Sequence, residues 1–225
     1  MQLTHAVAGA VRTGDLPAGC ESVLVRPGTQ PGDAYVTLNL PRPTDTPYTP
    51  LDAERVSALE GIARDRAQRV AAFLRATRPA FANSRVATWP KRLGIRESRT
   101  LAGCETVTHE DVIRARRRDD EVALSTWPIE LWQDHRRAHF EYPDGASSVP
   151  LGALVSRSHP RLGAAGRCLS ATHEALGALR VIGTAFATGE ALGVAAGLAA
   201  NAGGGFDGVA PSDVRDHILA EAEPA

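Results

Sequence analysis

The chain has 225 residues, 43% of them hydrophobic, which suits one large soluble domain or two small ones. Its 25 Lys and Arg balance 26 Asp and Glu, so no overall field directs it to nucleic acid or to an anionic membrane. Cys20, Cys104 and Cys168 lie far apart without C-x-x-C spacing, which argues against a disulfide framework and against a zinc or iron–sulfur site.

The opening residues lack the basic start, apolar core and cleavage pattern of a signal peptide, so a cytoplasmic location is expected. Gln2 to Val11 alternates loosely and is expected to be a strand. Val23 to Arg26 and Ala34 to Leu40 are β-branched runs bounded by Pro, Gly and Asp, and should join it in one sheet. Pro41 to Pro47 forms an extended linker into a helix. Thr49 with Asp52 makes a capping-box start with Pro50 at the first position. Val56, Leu59, Ile62, Ala63, Val70, Phe73 and Leu74 then carry the helical period to about Arg78.

Arg96 to Thr106 reads as one or two strands interrupted by Gly103. Thr108 with Asp111 gives another capping box, opening a short helix toward Arg116, Arg117 and Arg118. His135 and His139 are four apart and would share a helix face, but spacing places no third ligand beside them, so no metal site is expected.

From Arg161 to Asn201 the chain reads as a strand (Leu162 to Ala165), a turn and a long small-residue helix. Gly189, Gly193 and Gly197 fall on one helix face. Glycine inside a helix costs about 1 kcal/mol relative to alanine, so close approach of another backbone or a ligand is the expected compensation. The run Val181 to Ala200 is about long enough to span a membrane. Glu190 at its middle, Arg180 at its start and the dominance of Ala and Gly argue against insertion. After Asn201 a glycine run ends the helix, and Pro211-Ser212-Asp213 opens a last one.

The run AGRCLSATHEALGALRVIGTAFATGEALGVAAGLA resembles the C-terminal signature of a broad family of FAD-dependent oxidoreductases. The stretch GIRESRTLAGCETVTHEDVIRARRRDD, from Gly94 to Asp120, resembles a second block of that family. The resemblance covers roughly residues 50 to 220. It implies a mixed α/β (α+β) fold: a strand-rich substrate or cap domain with a long helix over 1–150, then the C-terminal strand–helix part of an FAD-binding domain over 151–225. It also implies FAD as cofactor. Gly166, Arg167, Cys168 and Ser170 match the turn that brings backbone to the flavin, and Arg180 with Val181 matches the start of the helix that points at the pyrimidine edge of the ring. His173 and Arg96 are the candidates for the substrate side, one as a proton relay and the other as a carboxylate anchor.

Two departures from the family stand out. No strand leads into a G-x-G-x-x-G turn and helix of the kind that holds the adenine end of the cofactor, since Gly203-Gly204-Gly205 follows a helix rather than opening one. Ser147-Ser148-Val149-Pro150-Leu151 replaces an aromatic segment that precedes the signature in family members. The expected function is therefore the C-terminal portion of a flavoenzyme transferring hydride between a small organic substrate and flavin. Its N-terminal FAD-binding half would be a separate chain or a segment beyond this sequence. The alternatives are a non-catalytic subunit that binds a partner chain through the surface that half would cover, and a cofactor-free enzyme with Cys168 as nucleophile and His173 as base.

Overall fold

A computed structural model describes residues 2–42 and 49–222. It is a mixed α/β fold with small sheets and two compact units, 1–95 with 132–138, and 96–131 with 139–225. Most of the Pro41–Pro47 linker lies outside the described residues.

In the first unit, helix α1 (Gln2–Thr13) stands where a strand is expected. Val7 and Ala10 are buried with Leu3 and Val11 against them, a three- and four-residue spacing that outweighs the loose alternation. Strands β1 (Ser22–Pro27) and β2 (Ala34–Asn39) form an antiparallel hairpin in register from Ser22↔Asn39 to Pro27↔Ala34. Helix α2 (Ala53–Thr77) brings Val70 and Leu74 into the same core. Its N-cap is Asp52, whose carboxylate accepts from Arg55 N at 3.0 Å, so the helix begins after the Thr49–Pro50 start that the sequence suggests.

The second unit carries a larger core. Helix α3 (His109–Ile113) opens with the full capping box, Thr108 and Asp111 each bonding the other's backbone, and ends before the arginine run. Strand β3 (Glu121–Ser125) pairs antiparallel with β6 (Ser147–Pro150), while β4 (Ile129–Trp132) pairs with β5 (Ala138–Glu141). His135 therefore lies in a hairpin connection and His139 in a strand, not on one helix face.

Helices α4 (His173–Leu179), α5 (Ile182–Asn201) and α6 (Pro211–Ala222) complete the unit. The core of α5 is a single stripe: Thr184, Thr188, Ala191, Ala195 and Ala199 are buried, at spacings of three and four. Among the described residues the opposite stripe is bare. Ile182 and Phe186 are 76% and 75% exposed, and a Cβ built on Gly189, Gly193 or Gly197 would meet nothing within 4 Å. Among the described residues the close approach expected at those glycines is absent, and it occurs instead at Gly177 of α4, where a Cβ would lie 3.1 Å from Glu130 O. By length and composition α5 could cross a membrane.

Candidate active site

The signature begins as a turn rather than a strand. Leu162 to Ala165 contributes only the isolated bridge Val155↔Gly163, and Gly166–Cys168 forms one 3-10 turn. Gly166 takes φ +61°, a conformation that favours glycine, and its N–H donates to Thr188 Oγ1 at 3.1 Å. The Thr188 hydroxyl in turn donates to Thr184 O at 2.8 Å. The buried stripe of α5 thus holds the turn in place. Arg167 is exposed and Cys168 half-buried, whereas Ser170 is 2% exposed with its Oγ 3.0 Å from Thr106 Oγ1. Ser170 acts inside the fold, not on its surface.

Thr172 caps α4, its hydroxyl accepting from Ala175 N, which puts His173 at the first helical position with its ring outward. His173 Nδ1 lies 2.5 Å from Glu97 Oε2. The carboxylate orients the imidazole and leaves Nε2 directed away from the pair. Glu97 thus pairs with His173.

Between α4 and α5 the backbone turns at Arg180, the C-cap of one helix, and Val181, the N-cap of the next. Arg180 Nη2 donates to Glu130 O at 2.8 Å. Burial pushes the Arg180 guanidinium below its ordinary value. The nearby charges of Glu130 and Glu97 work against that fall and Arg96 adds to it. Arg96, Glu97, His173 and Arg180 therefore belong to one electrostatic neighbourhood, although Glu97 and His173 lie 76 positions apart in the sequence.

Val181 gives α5 no side-chain cap, and Gly183 presents bare backbone with open space around it. The start of a 20-residue helix, worth roughly half a positive charge, is thus left accessible beside Arg180. An electron-rich ring edge or an anion suits that end. With His173 Nδ1 taken by Glu97, Nε2 is the ring nitrogen left for any further contact.

Gly203, Gly205 and Gly208 do carry G-x-G-x-x-G spacing, but they follow the end of α5 with no strand before them. A Cβ at Gly205 would strike Pro160 O at 2.7 Å, so that glycine serves chain packing. Among the described residues no cluster of His, Cys, Asp and Glu could hold a metal ion.

A family model described as FAD dependent oxidoreductase matches residues 7–218. No curated protein and no solved structure matches the chain.

Proposed function

We propose, from the premise that this chain belongs to the FAD dependent oxidoreductase family, that it supplies the ring-facing and substrate-facing part of a flavoenzyme. The observation that carries the reading is the junction of α4 and α5. There a half-buried arginine, an uncapped helix start and a solvent-facing His–Glu pair share one neighbourhood.

These residues fit one end of the cofactor. Gly183 and the free amides at the start of α5 suit the pyrimidine edge of an isoalloxazine, and Gly166 with Arg167 suits the chain that leads from the ring toward the phosphates. The adenine end finds no such cradle among the described residues, so a nucleotide-binding unit outside them would hold it.

Bound flavin supplies the acceptor for a hydride. The protein has the remaining tasks. Arg96 fixes a carboxylate of a small organic substrate through its planar fork. When a C–H bond of the substrate yields its hydride, the proton on the neighbouring oxygen or nitrogen passes to His173 Nε2, and Glu97 stabilises the imidazolium that forms. With flavin bound, Arg180 and the start of α5 would offset negative charge beside them. The test is anaerobic bleaching of the flavin band by small hydroxy or amino acids, with His173→Ala losing the reaction while keeping bound flavin. Equal bleaching by His173→Ala would remove His173 from the mechanism.

A second reading rests on the exposed stripe of α5. Ile182, Phe186 and the open glycines suit a chain that binds a partner and carries no chemistry of its own. Co-expression with a nucleotide-binding partner separates the two: complex formation without flavin reduction favours this second role.

A further inference from the structure

The triplet Thr-His-Glu occurs twice in the sequence, each time where a helix begins. Val107-Thr108-His109-Glu110 leads into α3 and Ala171-Thr172-His173-Glu174 into α4. The backbone sets the two side by side. Leu101 to Val107, expected as strand, joins no sheet, because its bonds go to scattered partners: Leu101 N donates to Cys168 O at 2.8 Å, Cys104 N to Val155 O at 2.9 Å and Val107 N to Ser170 O at 3.1 Å. Thr172 N donates back to Val107 O at 2.9 Å, which closes an isolated parallel bridge between Val107 and Ala171. Chains paired in this way lie about 5 Å apart.

Because the pairing is parallel, His109 and His173 hold equivalent places, each two residues beyond the bridge. Thr108 caps one helix and Thr172 the other, so both rings leave from a first helical position. A carboxylate from another element then turns each ring. His109 Nε2 lies 2.9 Å from Glu141 Oε2 at the end of β5, with the histidine side chain 39% exposed, as His173 Nδ1 lies against Glu97. Glu174 adds a further negative charge. Its own backbone N–H foremost, then the Thr172 hydroxyl and the charges of His173 and His109, hold its carboxyl below the ordinary value against desolvation.

An ionised carboxylate only accepts, so the His109 nitrogen beside Glu141 carries the ring proton, and the neutral ring presents a lone pair at Nδ1. That atom takes a hydrogen-bond donor. A second carboxylate of a substrate would set lone pair against lone pair, with Glu141 and Glu174 adding like charge.

Resting on the reading of Arg96 and His173 above, we propose that His109 also contacts the substrate, its Nδ1 accepting from a second hydroxyl or amine. The substrate class is thereby narrowed to small hydroxy acids that carry one more donor group than the oxidised centre itself.

A binding series on the full-length chain with excess FAD tests this. Lactate, glycerate and 3-amino-2-hydroxypropanoate differ only in the hydrogen, hydroxyl or ammonium at the third carbon. One net hydrogen bond predicts that glycerate or the amino compound binds about three- to tenfold more tightly than lactate, and the tighter of the two identifies the donor. The His109 ring signals in the nuclear magnetic resonance spectrum, assigned by their loss in His109→Ala, should move with that ligand and stay in place with lactate. In His109→Ala, with far-ultraviolet circular dichroism as the check on folding, the three affinities should converge. Equal binding of all three acids by the native chain, ring signals that move as far with lactate, or a preference that survives His109→Ala overturns the proposal. Failure of every acid to bind would remove the reading of Arg96 and His173 together with this one, whereas lactate binding without a preference removes this one alone.

Discussion

Two histidine–glutamate pairs of the same chemistry occupy different surroundings. In the first unit His135 Nε2 lies 2.9 Å from Glu21 Oε2, with the side chains 11% and 21% exposed. In the second, His173 Nδ1 lies 2.5 Å from Glu97 Oε2, with 64% and 37% exposed. A largely buried pair must stay satisfied because each partner alone would be desolvated without compensation, so it serves stability. An exposed pair contributes little to stability, and its free ring nitrogen remains within reach of another molecule. Burial, not residue type, divides a fastening from a group that another molecule can reach.

The sharpest way to break this contrast is His173→Ala. Turnover of the flavin-loaded protein should fall by about 10²- to 10⁴-fold, the usual worth of a positioned acid–base group, while the melting temperature stays near that of the native chain. A variant that melts early with activity intact would reverse the assignment.

Glu21→Gln should act the other way. Burial pushes the Glu21 carboxyl up, but the hydrogen bond from His135 and nearby backbone bonds outweigh it and hold the group below its ordinary value. A lowered carboxyl stabilises the fold above its unfolded value, and that contribution disappears as pH falls through the folded one. At neutral pH the variant should lose about 1–3 kcal/mol, read by denaturant titration of the first unit, with flavin chemistry unaffected. The deficit should shrink in acid.

A smaller effect is expected at Glu121. The Arg117 hydrogen bond, against opposing burial and with help from Ser148, brings its carboxyl down to about 2. Arg117 is 56% exposed, so solvent screens much of the interaction, and Glu121→Gln should cost only about 1–2 kcal/mol at pH 7. The native advantage should fade between about pH 4.5 and about pH 2, which acid unfolding of the second unit would show.

The contrast between the two pairs was only half legible in the sequence. Local signals read well: β1 and β2 from their β-branched runs, α2 from its period, and α3 from Thr108 and Asp111. Local ambiguity misled at α1, where short apolar spacing fits two periods until a core selects one. Non-local pairings were beyond reach. Nothing near His173 announces Glu97, nothing near His135 announces Glu21, and the segment 101–107, expected as strand, joins no sheet because its backbone hydrogen bonds go to scattered partners. The glycines of α5 showed that one face is special without revealing that the described residues leave it bare.

The most direct test of the central claim is the visible absorbance of the chain after it is mixed with excess FAD, with a nucleotide-binding partner present where one is found, and freed of unbound cofactor. The account predicts a retained flavin band that is lost in Arg180→Ala with the far-ultraviolet circular dichroism unchanged. Retention equal in the native chain and in Arg180→Ala, or no retention with or without the partner, would contradict it.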